Sequence, residues 1–170
     1  MIEFEFVTQT CKQPLEAEDV LTLAERLRIA ASKHLSEHNA VPPLITMVVS
    51  EGRTQTGTIT PAILTLSLVE QPKQAYDFAR ELGQACKAHS VIAVGEAKSN
   101  GPGPLHDEKS VLWMNVCSLK LTPRNQAWSA MIVRPPRGPA APGPWIHQGE
   151  YESASLYAEL LYTKANARWN

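Results

Sequence analysis

A chain of 170 residues with 44% hydrophobic and 19% charged residues has the composition of one folded domain with room for a real core, and not that of a disordered segment. Its 16 basic and 17 acidic residues leave a net charge of −1, which argues against a strong field toward nucleic acid or anionic membrane. Cys11, Cys86 and Cys117 are far apart and form no C-x-x-C pair, so neither a disulfide framework nor a cysteine-based zinc site is expected.

In chain order, Ile2 to Val7 alternates apolar residues with Glu3 and Glu5, as a strand with one wet face does at a sheet edge. The glutamates there discourage pairing with a second molecule. Residues 15–38 read as a helix, with Val20, Leu23, Ala24, Leu27, Ala31 and Leu35 at three-four spacing. Asn39 suits a left-handed position just past its end, and Pro42-Pro43 stops it. The apolar, β-branched run 43–50 reads as a central strand, and 58–69 returns as its neighbour after a Gly-bearing turn.

Pro72 is placed to start a second helix over 72–90, whose stripe is Ala75, Phe78, Ala79, Leu82, Ala85 and Cys86. A buried strand, 91–97, comes next. Strand, helix and strand in that order suggest a parallel crossover. Residues 98–109 form a polar loop with two glycines and two prolines, and 110–119 and 127–133 read as an antiparallel pair.

The expected fold is therefore α/β of the mixed α+β kind. It is a single mixed sheet of about six strands with two main helices packed on it, in the order β-α-β-β-α-β-β-β. The core domain covers 1–134. A proline-rich extended connector follows over 135–148, then an amphipathic helix over 149–170 that packs on the core or on a partner.

Chemistry is first suggested by His34-Leu35-Ser36-Glu37-His38, which spells H-x-x-E-H and places two imidazoles four apart on one helical face. These five residues resemble the inverted zinc motif of the pitrilysin-like peptidases. The resemblance implies His34 and His38 as metal ligands and Glu37 as catalytic base. Its third ligand, a glutamate on a later helix, matches only Glu81 here. Helix geometry offers a plainer reading. His38 lies five whole turns after Val20 and His34 falls between Leu27 and Ala31, so both face the core at the last turn. There each ring needs a hydrogen-bond partner, and a free carbonyl of the helix end serves without any metal.

A second group of candidates leaves the carboxyl end of the strand 91–97. Glu96 is a candidate catalytic carboxylate, and Glu96, Lys98, His106 and Asp107 together are a candidate ligand-binding set. The plainer reading is a solvated loop with Glu96 paired to a basic side chain. The stretch Ser99 to Pro104 lacks the P-loop frame and no helix follows it, which removes a nucleotide loop. Trp113 and Trp128 sit on consecutive strands without a basic patch around them, so they read as core.

No catalytic constellation is complete. The leading expectation is a non-catalytic interaction protein, working by homo-oligomerisation (a homodimer, for instance) or by binding a protein partner. Tyr151, Leu156, Tyr157, Leu160 and Leu161 of the terminal helix are the expected interface. One alternative is a metal-dependent hydrolase with zinc as cofactor. The other is a small-ligand binder at 96–109. Neither nucleic acid nor membrane is an expected partner, and no cofactor is expected in the leading reading. With no signal peptide and no apolar run near the ~18 residues a membrane span needs, the expected location is cytoplasmic, with the thiols reduced.

Overall fold

The computed structural model describes residues 6–100, 108–151 and 157–164. Its elements are strand β1 (Phe6–Thr10), helix α1 (Ala17–His38), β2 (Leu44–Arg53), β3 (Ile59–Ser67), helix α2 (Pro72–Ala85), β4 (Ala88–Asn100), β5 (Glu108–Ser118), β6 (Asn125–Val133), the two-residue β7 (Ala141–Pro142) and β8 (Ile146–Tyr151). A single 3-10 turn, Ala158–Leu160, follows.

The helices form where local rules place them. The Glu16 carboxylate accepts from the backbone of Asp19, and the Asp19 carboxylate accepts from the Glu16 N–H at 2.8 Å, closing a capping box at the start of α1. Asn39 ends the helix in the left-handed region (φ 58°) and donates its N–H to the Leu35 carbonyl. In α2, Pro72 occupies the first turn as expected. That helix stops at Ala85, earlier than its apolar stripe suggests, because Lys87 turns the chain at φ 53° and residues 88–90 enter β4.

Among the described residues the sheet has eight strands rather than about six, in the order β1-β3-β2-β4-β5-β6, with β7 and β8 both pairing the far side of β6. Every pairing is antiparallel. The expected parallel crossover survives only in a changed form. β3 and β4 run the same way, but β2 lies between them and bonds both. β1 and β2 likewise run parallel with β3 between. Each helix thus carries the chain past one intervening strand. The expected loop 98–109 is narrower as well, since β4 and β5 stay paired out to Asn100 and Glu108.

The two helices pack on opposite faces. Ile45, Met47 and Val49 of β2 and Val91 and Ala93 of β4 point to the α2 side, where Ala75 and Ala79 meet them. Ile92, Val94, Leu112, Met114 and Val116 point to the α1 side, against Val20, Ala24, Ala31 and Leu35. Fully burying a Leu, Ile, Val or Met side chain contributes roughly 1.5–3 kcal/mol, so these two clusters are the main source of stability. The buried hydroxyls between β4 and β5 bond each other. Ser90 Oγ and Ser118 Oγ lie 2.6 Å apart, and His89 Nδ1 lies 2.8 Å from Ser90 Oγ.

The C-terminal expectation needs correcting. Residues 146–151 are strand, not helix, and 158–160 make only one 3-10 turn. Leu160 and Leu161 are buried in the chain's own core beside α2. Gln84 Nε2 donates to the carbonyls of Glu159 and Leu161, and the Tyr162 N–H donates to the Ala88 carbonyl. These partners come from α2 and β4, so the segment needs no helical bonds of its own. The closest approach is at Gly83, where a Cβ would overlap the Leu160 carbonyl oxygen. The connector is also structured in part, because β7 and the start of β8 line the edge of β6. Pro142 fits there, since among the described residues β7 has no strand beyond it to bond.

Candidate functional site

The histidine pair does come together, with ring centroids 4.4 Å apart. His34 is half-buried and its Nδ1 lies 2.8 Å from the Ala40 carbonyl oxygen, so a backbone carbonyl satisfies it. His38 is exposed, contrary to the azimuthal argument. Leu35 is the last buried residue of α1, and one turn further the same direction no longer meets the sheet. The Glu37 carboxylate lies 3.8 Å from Lys33 Nζ and 4.0 Å from His38 Nε2. Glu81 is exposed on α2, which packs on the other face of the sheet, so it cannot complete a site with His34 and His38. Among the described residues, no three His, Cys, Asp or Glu side chains gather closely enough to hold a metal ion.

Glu96 is engaged structurally. One carboxylate oxygen accepts from Arg134 Nη2 at 2.8 Å and the other accepts from the Val41 N–H at 3.2 Å. The same guanidinium donates to the Asn39 carbonyl at 3.0 Å. Lys98 is exposed on β4, and His106 and Asp107 lie outside the described residues. Of the expected interface, Leu160, Leu161 and half-buried Tyr157 pack inward, with the Tyr157 ring stacked on Trp113 at 6.4 Å. The Tyr151 backbone pairs with Asn125, and Leu156 lies outside the described residues.

Two features escaped the sequence reading. The first is an uncovered half of one sheet face. Along β5, Leu112, Met114 and Val116 are buried under α1 while Val111, Trp113 and Asn115 on the opposite face are half-buried. On that same face β6 presents Met131 (46% exposed) and Val133 (57%), and β8 presents Ile146 (57%). The register puts Met131 opposite Val111, and Ile146 opposite Ser129. On this face α2 contacts β2 and β3, the 158–160 turn contacts β4, and Tyr157 reaches Trp113 of β5, whereas Met131, Val133 and Ile146 stay exposed. A run apolar on both sides, such as Met131-Ile132-Val133, reads as a buried strand, and only the helix placement shows that one side is open.

No protein-family model, curated protein or solved structure matches the chain. Its function has to be argued from its own geometry.

The second feature is a cavity of about 350 Å³ between β1, the outer end of the β2–β3 hairpin and the last turn of α2. Phe6, Leu64, Leu82 and Ala85 give it apolar walls, and half-buried Glu51 and exposed Arg53 also line it. Cys86 lines it too. Burial pushes that thiol's pKa up, the Arg53 charge pulls it partly back, and Glu51 adds to the rise. The neighbouring Lys87 ammonium is held by the Glu51 carboxylate, which raises its pKa. Outside the cavity, Tyr76 of α2 donates to the Glu159 carboxylate at 3.3 Å. Burial first, and then that carboxylate, push its phenol up to about 12.

Proposed function

We propose that this chain is an interaction protein that works by pairing with a second copy of itself through the open half-face of β5, β6 and β8. The observation that supports this reading is the row Val111, Met131, Val133 and Ile146, which shares one face of the sheet and, among the described residues, has no helix over it. Isolated exposed apolar residues are ordinary, but a contiguous set on one face marks a contact surface. The described side chains of this row are uncharged, so two copies meet without like-charge repulsion, and a charged partner gains nothing from it. Sheets packed face to face bury such rows against each other at about 10 Å separation. Among the described residues no helix is long and apolar enough to cross a membrane, so a bilayer-spanning role has no support from the helices.

Sedimentation velocity of the wild-type chain and of the double variant Met131→Lys, Ile146→Lys tests this. A wild-type dimer that the double variant converts to a folded monomer supports the reading. A wild-type monomer at every concentration overturns it.

A further inference from the structure

We propose that the cavity between β1, the β2–β3 hairpin and the end of α2 binds a small amphipathic carboxylate, an acyl or aryl acid whose carboxylate is received by Arg53. This is independent of self-association through the opposite end of the sheet.

The cavity is a built feature of the fold. The β2–β3 register shifts between Val49 and Gly52. The two residues inside the shift turn away from β3, and the N–H groups of Ser50 and Glu51 donate to the carbonyls of Lys87 and Cys86. Lys87 sits in the left-handed region at φ 53°, which a lysine adopts only when its surroundings hold it there. Gly52 is required by contact, since a Cβ there would come within 2.6 Å of the Ala62 Cβ. Bulges and strained residues of this kind cluster where a fold re-aims side chains at a ligand.

The lining selects the ligand. Leu64, Leu82 and Phe6 take an apolar body, and a volume of about 350 Å³ stands at the small end of the ~300–1,000 Å³ typical of ligand sites. Arg53 has no carboxylate partner among the described residues. The Glu51 carboxylate is held by Lys87, which leaves the Arg53 fork open to an outside anion. A guanidinium matches a carboxylate with two parallel hydrogen bonds, repels a cation and offers a neutral ligand much less. The α2 helix ends beside this region at Ala85, so Arg53 is the cation that receives the ligand's carboxylate against the negative end of the helix dipole.

Cys86 reports occupancy, with Cys11 as an internal reference. The full chain is treated with N-ethylmaleimide in the presence of octanoate or octanol, and modification of each thiol is followed by mass spectrometry. Octanoate is expected to slow Cys86 on the order of tenfold near saturation, to leave Cys11 unchanged, and to lose its effect in Arg53→Gln. Amide shifts of Thr8 and Gly52 on adding octanoate read the same occupancy if the thiol reacts too slowly. Absence of both effects overturns the proposal. So does protection that octanol matches, or that survives Arg53→Gln.

Discussion

Arg134, one residue past the end of β6, donates to the Glu96 carboxylate of β4 at 2.8 Å and at the same time bonds the carbonyl of Asn39, the left-handed residue that ends α1. Three distant parts of the chain meet in this clasp, and the second Glu96 oxygen extends it to the Val41 N–H. The side chain of Glu96 is only 13% exposed, so the pair is partly desolvated, while Arg134 at 35% still sees solvent.

Removing the guanidinium should therefore cost more than an ordinary surface pair. Arg134→Ala is expected to lower stability by about 1–2 kcal/mol, after discounting for solvent screening. Urea unfolding of both proteins checks it. An unchanged midpoint would show that the clasp is not formed in solution.

Leu160 separates a core role from an interface role for the C-terminal segment. It is buried against α2 within one molecule. Leu160→Ala should destabilise the fold by about 2–5 kcal/mol, as for other buried leucines, without altering the subunit number. Thermal melting and sedimentation velocity on the same sample tell the two apart.

Gly83 has no room for a side chain, because a Cβ would overlap the Leu160 carbonyl oxygen. Alanine normally favours a helix interior over glycine by about 0.8–1 kcal/mol. Here the sign should invert. Gly83→Ala is expected to destabilise by about 1–3 kcal/mol and to raise amide exchange at Tyr162, whose N–H bonds Ala88 beside the displaced turn.

His89 makes stability depend on pH. Burial, aided by the Lys120 charge, lowers its pKa below the ordinary 6.5. The unfolded chain therefore takes up the proton first as pH falls. Stability from this group is full above about 6.5, falls below it, and levels off once pH passes the lower folded value. Unfolding free energies measured across that window should fall toward acid in the wild type and flatten in His89→Gln.

The distance between what was legible in the sequence and what was not follows the range of the forces. The helix bodies, the Asn39 stop, the Pro72 start and the β-branched strands depend on periodicity and on residues a few places apart. The sequence by itself determines them, along with the mixed α/β class. The fate of Leu160 and Leu161 could not be read that way. Two adjacent leucines in an otherwise amphipathic stretch suit a helix as well as a single buried turn, and Gly83 and Gln84, some 77 residues earlier, decide between them. Strand order, the partner of Glu96, the separation of Glu81 from the histidines, and the open half of the sheet are equally long-range. Each depends on which face a helix covers, and burial is a property of whatever packs against a residue in space. Only the tertiary structure supplies that neighbour.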